Sequence, residues 1–98
     1  MKYNFKIKKE TKGYSAECVE IDGIFTQGET IEELESNMKE ALNLHLSEND
    51  DEVVFKMPQK TKKGWVPVEV EPSVAVALAV RQARLKRKMS QRQMQTFL

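Results

Sequence analysis

The hydrophobic period of this 98-residue chain changes once and sharply, at Thr30. Before that point, Tyr3, Phe5 and Ile7 alternate with Lys2, Asn4, Lys6 and Lys8, the period of a strand with one face buried and the other in water. After a polar turn closed by Gly13, Tyr14, Ala16 and Cys18 fall on one face and Ser15, Glu17 and Val19 on the other, so the two runs read as an antiparallel hairpin. Asp22-Gly23 is a turn dipeptide, and residues 24–27 make a short third strand that ends at Gly28. Thr30-Ile31-Glu32-Glu33 then has capping-box spacing, with the Thr30 hydroxyl placed to accept from the Glu33 amide. From there Ile31, Leu34, Met38, Ala41, Leu42 and His45 recur at steps of three and four, while Glu32, Glu33, Glu35, Lys39 and Glu40 fill the other side of a helix.

Beyond this helix the signals weaken. Residues 47–52 are too acidic and polar to bury, Val53-Val54-Phe55 reads as a short extended piece, and residues 60–64 form a loop. Val66, Val68 and Val70 alternate with Pro67, Glu69 and Glu71 as a fourth strand, and Pro67 argues for an edge position. Residues 74–80 fit either a buried strand or a helix apolar on all sides. Ser73 as an N-cap after Pro72, three alanines, and continuation through Ala83 and Leu85 into a basic face favour the helix. Lys88-Met89-Ser90 reads as a link, with Ser90 capping a second helix that carries Met94, Phe97 and Leu98. The chain stops inside that helix without a C-terminal cap, so the expectation is a molecule cut short of its natural end. A helix apolar nearly all round at residues 74–80 also predicts a homodimer or higher oligomer.

This length holds one compact domain, or a small domain plus an appended motif. No apolar run approaches the ~20 residues of a membrane helix, and the N-terminus lacks the apolar stretch of a signal peptide, so no membrane role and a cytoplasmic location are expected. Cys18 and His45 are each the only residue of their type, which excludes an internal disulfide and a Cys/His zinc site. His45 lies on the apolar stripe and Cys18 on the core face of its strand, so both read as packing residues. The carboxylates show no spacing suited to metal binding or acid/base work, and there is no glycine-rich phosphate loop. The chain reads as a non-enzyme without metal or cofactor.

The net charge of +1 hides a division. Residues 1–71 hold all fifteen acidic residues against ten Lys and Arg, whereas residues 72–98 hold six Lys and Arg and no acid. Residues 29–52 alone carry a net of −8. Such a split points to two surfaces with different partners. Arg81, Arg84, Lys86, Arg87, Lys88 and Arg92 are candidates for pairing with DNA phosphates.

The block Ile24-Phe25-Thr26-Gln27-Gly28-Glu29-Thr30-Ile31-Glu32-Glu33-Leu34, preceded by Gly13-Tyr14-Ser15-Ala16 and followed by Asn37-Met38-Lys39-Glu40-Ala41, resembles the HicB antitoxin family. Met57-Pro58 and the fourth strand also fit, so the resemblance covers about residues 1 to 70. The chain departs from the family at Val19-Glu20-Ile21-Asp22-Gly23-Ile24, where Pro-Asp-Leu-Pro-Gly-Cys is common, and at Leu34, where alanine is common. Residues 71–98 resemble the beginning of the helix-turn-helix that many HicB proteins append, with Gln91 inheriting a phosphate-contacting role and the base-reading helix absent.

The resemblance implies an α+β fold: a partial ribonuclease H-like β-β-β-α-β domain at 1–70, followed by a truncated helix-turn-helix segment at 71–98. It implies an antitoxin that masks a small HicA-like, mRNA-cleaving toxin and, when full length, represses its own operon by binding operator DNA. The acidic residues expected at the toxin surface are Glu20, Asp22, Glu29, Glu32 and Glu35, because they cluster in sequence around the third strand and the helix start. The other reading is a stand-alone DNA-binding transcriptional regulator whose acidic first domain binds a ligand or partner. A ribbon-helix-helix with residues 66–70 as the ribbon is a minor variant of that reading.

Overall fold

A computed structural model describes residues 1–48 and 56–96, with side chains over 1–47 and 56–88. The elements run β1 (Lys2–Lys9), β2 (Tyr14–Cys18), β3 (Phe25–Gly28), α1 (Ile31–Glu48), β4 (Trp65–Glu69) and α2 (Pro72–Thr96). The fold is α+β: a four-stranded, wholly antiparallel sheet in the order β3-β2-β1-β4, with two helices. The piece expected at residues 53–55 lies outside the described residues.

Alternation dictates which side of the sheet α1 covers. Tyr3, Phe5, Ala16, Cys18, Val68 and Val70 point to one side and bury against Leu34, Met38, Leu42 and Leu46 of α1. Burying four such α1 side chains stabilises the pairing by roughly 1.5–3 kcal/mol each. Thr30 caps the helix as expected: its Oγ1 accepts from the Glu33 amide at 3.1 Å. Gly28 lets the helix start close to β3, since a Cβ there would stand 2.6 Å from the Leu34 nitrogen. Ile31, expected on the apolar stripe, is exposed, because the first residue of the helix projects past the sheet. The stripe instead extends to Leu46.

Pro67 sits on an edge strand, opposite Asn4 of β1. Residues 66–70, considered above as a ribbon, are thus taken up by pairing with β1.

On the side of the sheet away from α1, a polar clamp closes one end. Asn4 is fully buried, and its amide and Nδ2 donate to the two carboxylate oxygens of Glu20 at 2.9 and 2.8 Å. Glu20 also accepts from the Gln59 amide at 2.8 Å, Asn4 Nδ2 reaches the Gln59 carbonyl at 2.9 Å, and the Thr61 hydroxyl donates to Asn4 Oδ1 at 2.6 Å. The Tyr3 hydroxyl, from the helix side, donates to the Lys56 carbonyl at 2.8 Å. Residues 56–61 therefore wrap around the end of the sheet as a strap.

α2 is where the structure corrects the sequence reading. Pro72, not Ser73, begins the helix: proline fits the first helical position, the Glu71 carbonyl accepts from the Ala75 amide, and Asn43 Oδ1 of α1 accepts from the Glu71 amide at 2.8 Å. The helix then runs without a break to Thr96, so the turn expected at Lys88-Met89-Ser90 is absent and with it the helix-turn-helix. No glycine or proline interrupts residues 73–96, and a serine in a helix interior costs only about half a kcal/mol. Among the elements α2 packs on α1 alone, through Leu78 with Val74 and Ala75. The rest projects, giving extents of 60 × 24 × 20 Å and a radius of gyration of 16.2 Å, against about 13 Å for a compact chain of this length.

Candidate functional site

The expected acidic surface separates into three places. Glu20 is only 5% exposed and holds the strap, so it is removed from any docking surface. Asp22 is exposed in the β2–β3 turn, beside Gly23. A Cβ on Gly23 would lie 4.0 Å from His45 Cε1, which puts this turn near the C-terminal end of α1. Glu29, Glu32 and Glu35 are exposed at the other end, roughly 20 Å away along the helix. They form a group that Asp22 does not join.

Two further carboxylates are exposed on the same helix, Glu33 on the first turn and Glu40 further along. The signal was already in the amphipathic pattern, which places both opposite Leu34, Met38 and Leu42. Glu29 and Glu33, with Lys12, Gln27 and Gly28, line a concavity of about 270 Å³ where the β1–β2 turn, the end of β3 and the start of α1 meet. Gly13 makes this close meeting possible, at φ +78° and against the backbone of Gly28 and Glu29. With two carboxylates against one lysine, the rim keeps a net negative charge and can accept a lysine or arginine side chain from a partner.

The basic candidates also divide. Arg81 is half-buried and donates through Nη2 to the Leu46 carbonyl in the last turn of α1, so it ties α2 to α1. Arg84, Lys86, Arg87 and Lys88 are exposed on the projecting helix, and Arg84, Leu85 and Lys88 share with Arg81 a cavity of about 110 Å³. Gln91 and Arg92 lie on the same continuous helix, so neither stands at the start of a second one.

Cys18 is a buried thiol, and burial pushes its pKa up. Among the described residues, no group of three or more His, Cys, Asp or Glu is arranged to hold a metal ion, and no helix is long and apolar enough to cross a membrane. Neither a family model nor a curated protein matches the chain.

Proposed function

We propose that this chain is an antitoxin of the HicB kind, a cytoplasmic non-enzyme that binds and neutralises a small, basic, HicA-like RNA-cleaving toxin. The observation that carries this reading is the exposed group Glu29, Glu32, Glu33 and Glu35 around the start of α1, beside a concavity able to take a basic side chain. It falls on the same stretch, residues 24 to 41, whose motif resembles that family. The β-β-β-α-β element order supports a partial ribonuclease H-like domain, and opposite charge would steer a basic toxin to this end.

Co-expression with a HicA-like toxin tests the reading. Growth should be restored and the two chains should elute together on a sizing column; arrest without a complex would remove the proposal. Charge reversal, Glu29→Lys with Glu32→Lys, should slow association and flatten its salt dependence, while Asp22→Lys should do neither.

A second reading, a DNA-binding regulator, is favoured by the exposed cations Arg84, Lys86, Arg87 and Lys88 on α2. With one uninterrupted helix, these cations are suited to phosphate contacts that carry no sequence information. A titration of operator and scrambled duplexes at equal ionic strength should give similar affinities that fall steeply with salt.

A further inference from the structure

The side of the sheet away from α1 is covered by neither helix, and the register arranges side chains across it in rows. Glu17 faces Phe25 on one side and Lys6 on the other, and Lys6 in turn faces Trp65, so one row runs Phe25, Glu17, Lys6, Trp65 from edge to edge. Phe25 is 58% exposed and Trp65 is half-buried. Three inter-strand spacings put the two rings roughly 14 Å apart. Lys8 is exposed on the same side in the next row. The far end of the strap and the residues after it bring more cations to this side: residues 60–63 contain Lys60, Lys62 and Lys63 and no acid, and the Lys62 ammonium stands 5.3 Å from the Trp65 ring centroid. The Asn4–Gln59 and Asn4–Thr61 hydrogen bonds hold that loop on this side of β1.

We infer that this sheet face, with Phe25 and Trp65 as stacking platforms, Glu17 and Lys6 between them, Lys8 in the next row and Lys62 over the Trp65 ring, binds a short segment of single-stranded RNA. Exposed rings on an antiparallel sheet stack unpaired bases, and neighbouring lysines neutralise the phosphates that join them. The two rings are far enough apart to take bases of separate nucleotides, with the backbone passing over Lys6. A protein partner is disfavoured by the mixture itself, because two aromatics separated by charged side chains form no continuous apolar patch. RNA is chosen over DNA on the strength of the proposed function, whose partner cleaves RNA. The surface lies on the opposite side of the sheet from α1, which carries the acidic group.

Trp65 is the only tryptophan and therefore reports on the site directly. Titrating the 98-residue chain with a uridine decamer at low salt should quench Trp65 fluorescence saturably. The logarithm of the affinity should fall with the logarithm of salt by about 0.7 per neutralised phosphate. Phe25→Ala should weaken binding on the order of tenfold, and Lys6→Glu should weaken it further and flatten the salt dependence, with circular dichroism unchanged in at least one of the two. Ser36→Ala, exposed on α1, should leave this affinity unchanged.

Absence of quenching, equal affinity for duplex RNA, or tighter binding of the thymidine decamer would overturn the proposal. So would binding that survives both sheet variants and disappears with Arg84→Glu and Arg87→Glu, which would place the RNA on α2. No toxin is present in this titration, so its failure leaves the antitoxin reading intact, and failed co-expression removes the ground for choosing RNA over DNA but not the stacking of single strands on this surface.

Discussion

Glu20 shows how a single residue changes meaning between sequence and structure. In sequence it is one acid among fifteen, next to a turn; in the fold its carboxylate accepts three hydrogen bonds in a buried clamp. Glu20→Ala removes the acceptor of all three bonds, each loss being worth about 1–3 kcal/mol, so urea unfolding should show a destabilisation of at least about 3 kcal/mol. Asp22→Ala, one turn away and exposed, should stay within about half a kcal/mol. Tyr3 makes a second prediction. Burial, aided by nearby Cys18 and Glu20, pushes its phenol up to about 12, above the ordinary value of 10. A raised acid binds its proton longer in the folded state, so its stabilising contribution is complete below pH 10 and is lost as pH climbs towards 12, by up to about 1.4 kcal/mol per unit. Chemical denaturation at pH 9, 10 and 11 should show this decline. Tyr3→Phe should flatten it while lowering stability at pH 8, because the hydrogen bond to Lys56 is gone.

At the scale of elements, strands and the first helix were readable because each carries a period that burial enforces. Tyr3 and Phe5, Ala16 and Cys18, and Leu34, Met38 and Leu42 all face the core as their spacing requires, and the Thr30 cap forms as expected. What stayed hidden was non-periodic. The bonds linking Asn4 to Glu20, Gln59 and Thr61 span 16 to 57 residues of sequence, and no local pattern announces such partners. The open sheet face was hidden for a related reason, since Phe25, Lys6 and Trp65 become neighbours only through strand register. At Ser90 a local cue was real but weak, and the uninterrupted helix-forming residues around it prevailed. Gly28 offers the test at this scale. Gly28→Ala would drive a methyl group into the Leu34 backbone and push α1 off β3, so melting should show a loss of about 2–4 kcal/mol, whereas Gly64→Ala, with nothing within 4 Å, should cost less.

The whole molecule is a compact head with a long helical extension, and the extension leaves apolar surface in water. Val76 and Val80 are 65% and 45% exposed on α2, on the side away from α1. Sedimentation equilibrium should show self-association that strengthens with concentration, and Val76→Glu with Val80→Glu should return a monomer with an unchanged head. A monomer at millimolar concentration would mean that these side chains stay solvated.

The strap formed by residues 56–61 carries a consequence for folding. It is drawn across the end of a finished sheet and held by bonds to Tyr3, Asn4 and Glu20, so it can lock only after β1 and the β2–β3 turn have met. Its release should be a local opening that precedes global unfolding. The amide of Gln59, a donor to Glu20 from the strap, should then exchange its hydrogen sooner than the amides in the middle of β1.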